Sequence, residues 1–256
     1  MGMQQTLRER RNGVIGILNG VDYREWDPAR DAYLTAHYGP QDMSGKLANK
    51  RQLLETVGLR LDPGKPLLGM VARLVEQKGI GLLAGALPPL LGEREFGVVV
   101  LGSGDERYVR SLTDLAGRYP RQVSFRAGHD EALAHLIEAG SDIFLMPSHY
   151  EPCGLNQMYS LRYGTVPIVR HTGGLADSVQ HYDRATGRGT GCVFNDYDAP
   201  GLSWAIRTAL DWFTDSALWR RLMANGMSQD FSWSRQAARY EQVYRDAVAA
   251  SRAIKT

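Results

Sequence analysis

The feature that most constrains the fold is a series of six short apolar runs in the middle of the chain. Each run is rich in β-branched residues and nearly continuous, which is typical of strands buried on both faces of a parallel sheet. They occupy residues 67–72, 96–101, 123–127, 142–146, 166–169 and 191–194. Helical patterns separate the first five, at residues 80–91, 106–119, 130–139 and 155–163. This alternation predicts a doubly wound, Rossmann-like α/β domain.

The region after the last run has a different pattern. Residues 199–213, 216–226 and 233–250 each have the periodicity of a helix. Asp198, Asp215 and Ser232 stand where N-caps are expected. The sequence therefore predicts three consecutive helices that follow the sheet.

Charge and cysteine content exclude several classes of protein. The 30 Lys and Arg residues nearly balance 28 Asp and Glu residues, so bulk charge gives no reason to expect a nucleic-acid or membrane partner. Cys153 and Cys192 are too few for a disulfide framework. No apolar segment is long enough for a membrane span or resembles a signal peptide. We expect a cytoplasmic protein.

The residues after the first three runs are candidates for a ligand site, because doubly wound sheets bind ligands outside the carboxyl ends of their strands. Arg73 and Lys78 are expected in the loop or first helical turn after the first run, where they would favour a diphosphate or form a solvated basic loop. Gly102 and Gly104 are expected in a turn that approaches a ligand or simply connects strand to helix. His129 could stack on a nucleobase or precede a helix capped by Asp130.

The residues after the fourth and fifth runs are more informative. Pro152 keeps Glu151 out of helical geometry, and this carboxylate could accept hydrogen bonds from sugar hydroxyls. Cys153 and Gly154 are expected to begin a helix whose backbone amides face a phosphate, although Cys153 could equally be a small buried thiol. Further along, Thr172 could cap a helix, and Gly173 with the next glycine could bring backbone amides close to a ligand.

Histidines give no sign of a metal site in the sequence. His37, His135 and His181 are each surrounded by residues typical of a surface. No carboxylate and histidine pattern has metal-ligand spacing, so we expect no metal.

The stretch that contains Glu151 closely resembles the signature region of bacterial glycogen synthases and plant starch synthases, which form glycosyltransferase family 5. The resemblance lies in EPCGLNQMY at 151–159 and RYGTVPIVRHTGGLAD at 162–177, and also in ARLVEQKG at 72–79 and GILNGVDYREWDP at 16–28. It covers essentially the whole chain. It implies the C-terminal half of a GT-B enzyme that transfers glucose from ADP-glucose, with retention of configuration, to the non-reducing end of an α-1,4-glucan such as glycogen.

The resemblance also implies roles for individual residues. Arg73 and Lys78 would bind the diphosphate and stabilise departing ADP without a metal or cofactor, and Glu151 would hold sugar hydroxyls. The remaining candidates would line the donor site, with His129 at a position where relatives usually carry a tyrosine stacked on adenine. They are Gly102, Gly104, His129, Cys153, Gly154, Leu155, Thr172 and Gly173. The position of a second glutamate found in many related transferases is occupied by Tyr159.

The resemblance implies three parts of the chain. Residues 1–45 would be the end of an N-terminal domain and the linker, residues 46–232 the nucleotide-sugar-binding domain, and residues 233–256 a crossover helix and tail. An N-terminal synthase domain would be absent, with its catalytic histidine. The alternative is therefore a domain that binds ADP-glucose or ADP without independent activity. A UDP-glucose transferase and a sugar-nucleotide epimerase are more distant alternatives.

Overall fold

The computed structural model describes residues 4–9 and 14–253, and the chain divides into two compact units. One unit takes in residues 1–20 and 230–256, and the other takes in residues 21–229. The helix predicted at residues 233–250 continues to Ala253, and the last three residues of the predicted tail lie outside the described part. No helix in the described ranges combines the length and apolarity that crossing a bilayer would require.

The helices and strands follow one another in an order that places a helix after nearly every strand. They are α1 (Gln4–Glu9), α2 (Ser44–Val57), β1 (Leu67–Leu74), a short 3-10 helix (Glu76–Lys78), α3 (Ile80–Glu93), β2 (Gly97–Gly104), α4 (Glu106–Arg118), β3 (Val123–Ala127), α5 (Glu131–Gly140), β4 (Ile143–Met146), α6 (Asn156–Arg162), β5 (Val166–Arg170), α7 (Gly173–Ser178), β6 (Cys192–Phe194), α8 (Ala199–Phe213), α9 (Ser216–Met227) and α10 (Trp233–Ala253).

The six strands form one parallel sheet in the order β3-β2-β1-β4-β5-β6. All six predicted strands and the doubly wound α/β class are confirmed. The apolar runs are nearly continuous because the strands are buried on both faces of the sheet. The adjacent residues Val98, Val99 and Val100 of β2, for example, are all fully buried although successive side chains point to opposite faces.

Helices cover both faces of the sheet. Residues of α3, α4, α8 and α9 share one hydrophobic core with residues of β1, β2, β4, β5 and β6. On the other face α5 packs against β1 and α2. Gly69 of β1 makes this close approach possible, because a Cβ there would lie 2.7 Å from Cγ2 of Ile137 in α5.

The predicted helix caps are confirmed. The Asp130 carboxylate accepts a hydrogen bond from the Leu133 amide, that of Asp198 from Gly201, and that of Asp215 from Ala217 and Leu218. Ser232 likewise accepts from the amide of Arg235, at 3.3 Å. Each cap satisfies an amide that the first helical turn leaves without a partner.

Strands β1 and β2 are longer than predicted, which changes the location of several candidate residues. They remain paired as far as Leu74 and Gly104, so Arg73, Gly102 and Gly104 lie in strands rather than in loops or turns. The glycines serve strand packing: a Cβ on Gly102 would lie 2.1 Å from the Ala72 carbonyl oxygen, and one on Gly104 2.4 Å from that of Leu74. Lys78 ends the 3-10 helix rather than starting α3.

The strand order reverses between β1 and β4, and this reversal locates the ligand crevice expected of such a sheet. Arg73 and Lys78 follow the buried part of β1, and the segment 147–155 follows β4. The fold therefore brings the candidates from two distant stretches of sequence to the same edge of the sheet.

Candidate functional site

A short ion pair joins the two stretches at the switch point. The Lys78 ammonium donates to Oε2 of Glu151 at 2.5 Å, and their side chains are 19% and 9% exposed. The hydroxyl of Ser148 also donates to this oxygen, at 3.3 Å. An ammonium has three donors, so Lys78 can hold Glu151 and still bind an anion at the crevice.

The segment that carries Glu151 is fastened to the 3-10 helix. The Gln77 carbonyl accepts from the amide of His149 at 2.8 Å, and the Gln77 side chain donates to the carbonyl of Tyr150. Gly79 has a φ of +71°, and a Cβ there would lie only 2.0 Å from the carbonyl oxygen of Pro147. The positive φ and the lack of space for a Cβ both require a glycine at this position. The close approach of Gly79 to Pro147 sets the separation of Lys78 and Glu151.

Arg73 lines a pocket of about 230 Å³ at the carboxyl ends of β1, β2 and β3. Its side chain is exposed, and within residues 4–9 and 14–253 no carboxylate forms an ion pair with it. Gly102 and His129, two further candidates, line the same pocket together with Val71, Ala72, Leu101, Ser103, Gly128, Glu131, Ala134, Asn156, Tyr159 and Trp26. An uncompensated guanidinium at the wall of a pocket favours an anionic ligand.

His129 stands at the mouth of this pocket. Its side chain is 85% exposed, and its Nε2 lies 3.3 Å from Oε2 of Glu131. It precedes α5, which Asp130 caps. His129 therefore precedes a capped helix, as one expectation had it. Its exposed imidazole also has room to stack on a nucleobase, as the other requires.

Trp26 and Tyr159 form part of the pocket that the sequence did not predict. Their rings stack at 3.9 Å between centroids with an interplanar angle of 4°. Burial raises the pKa of Tyr159 to about 12, so its phenol stays neutral near pH 7. In the sequence, the only sign of Tyr159 was that it replaces a glutamate of related transferases. Trp26 comes from a distant part of the chain, so no local pattern could place it in this pocket.

The segment that carries Trp26 is held through two buried aspartates, Asp27 and Asp31. Arg162 of α6 donates to Asp27 at 2.6 Å. Asp31 receives hydrogen bonds from Nδ1 of His135 at 2.8 Å and from the hydroxyl of Tyr163 at 2.5 Å. Burial would raise the pKa of Asp31, but these hydrogen bonds and one from a backbone amide outweigh it and lower the pKa.

The sequence-based view of His135 as a surface residue is wrong. Its side chain is fully buried, and Trp26 stacks on it at 3.7 Å. The expectation of no carboxylate and histidine group is also wrong, since Glu25, Glu131 and His135 place ligand atoms within 4.8 Å of one another. Glu131 and His135 are one helical turn apart, but Glu25 comes from a turn more than a hundred residues earlier, so spacing alone could not reveal the group.

The remaining candidates lie on the other side of Glu151 and form a second set. The helix there begins at Asn156 rather than at Cys153, because Gly154 has a φ of +74° and Leu155 is in the N-cap position. Cys153 is half-buried and Cys192 is buried. Gln157 of α6 donates to the carbonyl of Cys153 at 3.0 Å.

Thr172 and Gly173 stand at the start of α7, where Gly173 and Gly174 pack against the backbone of Glu151 and Cys153. Thr172 is in the N-cap position of α7, but its side chain makes no capping hydrogen bond. Gly173 has a φ of +45°, and a Cβ there would lie 2.2 Å from the carbonyl oxygen of Glu151, which accepts the amide of Gly174 at 3.0 Å. The glycines therefore allow backbone packing, and the second amide is used within the protein.

Comparisons with known proteins give a consistent result. The family described as glycosyl transferases group 1 matches residues 55–217. A glycogen synthase of Anaeromyxobacter dehalogenans is 55% identical over 93% of this chain and 50% of its own length, and one of Thioalkalivibrio sulfidiphilus is 50% identical over 96% and 52%. The catalytic domain of starch synthase IV from Arabidopsis thaliana, solved with ADP and acarbose, has a TM-score of 0.89 at 38% identity and covers 97% of this chain and 52% of its own. The chain spans about half the length of these relatives.

Proposed function

This chain belongs to the glycosyl transferases of group 1, and from that premise we propose that it forms the nucleotide-sugar-binding part of a glycogen or starch synthase. The donor would be ADP-glucose, and the acceptor would be the non-reducing end of an α-1,4-glucan. The observation that carries the proposal is the cationic crevice at the β1–β4 reversal, where Lys78 contacts Glu151 at 2.5 Å and Arg73 lines the adjacent pocket.

The crevice would divide the donor between its two sides. The nucleoside would occupy the pocket with Gly102 and His129, and the exposed imidazole would stack on the adenine. The diphosphate would lie between Arg73 and Lys78, whose charges match it. The Arabidopsis starch synthase domain was solved bound to ADP and acarbose, which supports an adenine nucleotide donor and a glucan acceptor.

Glu151 would orient the glucose by accepting hydrogen bonds from its hydroxyls. Its side chain is only 9% exposed, and its Oε2 accepts from Lys78 at 2.5 Å. Cys153, Gly154, Leu155, Thr172 and Gly173 would form the surface that receives the sugar and the distal phosphate. Gly104 lies at the end of β2 and outside the pocket lining, so its part would be limited to bringing β2 close to β1.

The chemistry would require no metal, because two cations would stabilise the leaving group. As the bond from the anomeric carbon to the phosphate oxygen breaks, negative charge grows on ADP, and Arg73 and Lys78 would stabilise it. The acceptor 4-hydroxyl would then attack from the same face, and its proton would pass to the departing phosphate. Tyr159 could not serve as a base near pH 7, since burial raises its pKa to about 12.

Calorimetric titration of the purified chain with ADP-glucose, and in parallel with UDP-glucose, tests the donor site. We expect tighter binding of ADP-glucose, and a loss of roughly 10–100-fold in affinity for Arg73→Ala or Lys78→Ala, since a hydrogen bond to a charged group contributes about 1.5–3 kcal/mol. Arg220→Ala is the matched control, because Arg220 is exposed on α9 and away from the crevice. Equal affinities in all three variants would contradict the assignment, and a preference for UDP-glucose would contradict the donor.

A second candidate is a domain that binds ADP-glucose without transferring glucose. It is favoured by the coverage, because the chain matches about half of each synthase and the acceptor face would then come from elsewhere. Incorporation of glucose from labelled ADP-glucose into glycogen distinguishes the two. Binding with transfer supports the synthase activity of the chain itself, whereas binding without transfer supports the binding domain.

A further inference from the structure

We propose that Glu25, Glu131 and His135 form a binding site for a divalent transition-metal ion, with zinc as the best match. The proposal does not depend on the transferase function. It starts from Nε2 of His135, which is buried and has no hydrogen-bond partner among residues 4–9 and 14–253. Because a buried polar atom without a partner is unfavourable, the position of this nitrogen needs an explanation.

The hydrogen bonds of Asp31 determine which atom His135 offers. Asp31 already accepts hydrogen bonds from the hydroxyl of Tyr163 and from the amide of Tyr33. A carboxylate offers only acceptors, so the proton lies on Nδ1 of His135, which donates to it at 2.8 Å. In the neutral imidazole this leaves a lone pair on Nε2. A carboxylate behind a histidine is the arrangement that orients metal-binding imidazoles in proteins.

The aromatic rings around His135 fix the direction of this lone pair. Trp26 stacks on the imidazole at 3.7 Å with an angle of 16°, and Tyr33 lies against it at 4.5 Å. The side chain is fully buried. The nitrogen therefore points in one direction without loss of further rotamer freedom, and this direction is toward two carboxylates.

The spacing of the ligand atoms fits a shared metal better than a hydrogen bond. Nε2 of His135 lies 3.6 Å from Oε1 of Glu131, which is too long for a hydrogen bond. Two ligands bound to one zinc ion at about 2.0–2.1 Å are separated by roughly 3.3–3.6 Å for angles between about 109° and 120°. All three ligand atoms of the group lie within 4.8 Å of one another, and rotation of the exposed Glu25 closes the rest.

The donor set selects the kind of ion. One imidazole with two carboxylates suits zinc and its first-row neighbours, whereas magnesium prefers six oxygen ligands. Three protein ligands leave a fourth position open to water or a ligand. Because Glu131 also lines the pocket beside Arg73, a bound ion would add positive charge to the pocket wall.

The test uses the purified chain after treatment with a chelator, titrated with zinc chloride by calorimetry and with cobalt chloride by visible absorption. We expect one ion per chain, a tetrahedral cobalt spectrum and no comparable binding of magnesium. Glu25→Gln and Glu131→Gln each remove an accessible ligand without touching the buried network. Each is expected to weaken zinc binding by at least about 10–100-fold, the loss known for residues that only support ligands.

Glu106→Gln is the matched control, because Glu106 is the first residue of α4 as Glu131 is of α5, and it is exposed. It is expected to bind zinc as the unaltered chain does. His129→Ala tests the alternative pair, since His129 lies 3.3 Å from the other oxygen of Glu131. Loss of zinc in that variant with retention in Glu25→Gln would overturn the proposal.

Nitrogen NMR of the unaltered chain provides a second measurement that requires no substitution of the buried histidine. Zinc is expected to shift Nε2 of His135 and to leave its Nδ1 bonded to Asp31. An unchanged Nε2 signal at saturating zinc would overturn the proposal, as would equal zinc affinity for the unaltered chain, Glu25→Gln and Glu131→Gln.

Discussion

Two acid–base pairs stand near the proposed donor site, and they differ in their access to solvent. Lys78 and Glu151 face the crevice with side chains 19% and 9% exposed, whereas His135 and Asp31 are fully enclosed. The first pair joins the ends of β1 and β4 through loops; the second anchors the segment that carries Trp26 to α5. An accessible pair can exchange one partner for a ligand, whereas the enclosed pair keeps its hydrogen bond and holds its surroundings in place.

The largest expected effect comes from breaking the enclosed pair. Asp31→Ala leaves the imidazole and the phenol of Tyr163 without an acceptor in a buried site, so we expect the free energy of unfolding to fall by about 3–5 kcal/mol. Urea unfolding followed by circular dichroism measures it. Glu151→Gln keeps an acceptor beside Lys78 and is expected to lose only about 1 kcal/mol. If Glu151→Gln proved the more destabilising, the contrast between the pairs would be wrong.

The next effect concerns the geometry of the accessible pair. Gly79→Ala forces an alanine into a positive φ and places its Cβ against the carbonyl of Pro147. We expect a loss of about 2 kcal/mol or more in unfolding free energy, since the left-handed conformation alone is unfavourable by about 1–2 kcal/mol. Binding of ADP-glucose should weaken as well, because Lys78 and Glu151 move apart.

Gly92→Ala is the control for this substitution. Gly92 lies in the last turn of α3, and among the described residues no atom beyond its neighbours and its own helix backbone lies within 4 Å of its hypothetical Cβ. Alanine there should stabilise the protein by about 0.5–1 kcal/mol, as expected inside a helix. Similar losses for both glycines would show that the contact with Pro147 does not constrain the loop.

The smallest effect, counted per pH unit, is a pH dependence that comes from a buried lysine. Lys46 is buried and donates to the carbonyls of Ala139 and Tyr163 and to the hydroxyl of Thr165, and burial lowers its pKa from 10.5 to about 7. Between these values the unfolded chain binds a proton that the folded chain does not, so stability rises with pH. The difference in unfolding free energy between the unaltered chain and Lys46→Met should therefore grow by up to about 1.4 kcal/mol per pH unit above pH 7.

Urea unfolding at pH 7, 8 and 9 measures this slope. Lys65→Met serves as the control, because Lys65 pairs with Glu95 at the surface and this contact raises its pKa. Lys65 is therefore protonated in both states across the range, and its difference should stay constant. A constant difference for Lys46→Met as well would mean that Lys46 keeps its proton in the folded protein.

Much of the geometry of the candidate site could be predicted because its signal is local. Arg73, Lys78 and Glu151 stand just after apolar runs, and the parallel sheet brings such positions to one edge. The family resemblance located the same residues. The spacing of residues in the sequence did not reveal that the candidates divide into two sets. Arg73, Gly102 and His129 line the pocket, whereas Glu151, Cys153 and Gly154 are not among the residues that line it.

The sequence by itself determined the strands, most helices and the caps, because each depends on side chains within a few residues of one another. Tertiary structure alone decided α2, whose buried face carries Lys46, Asn49 and Lys50. Polar residues on a buried face disguise an amphipathic pattern, and their burial becomes favourable only when distant groups, such as Asp142 for Lys50 at 2.6 Å, supply the hydrogen bonds. The same is true of Glu25 and His135, since only the fold brings residues so far apart in sequence within reach of one ion.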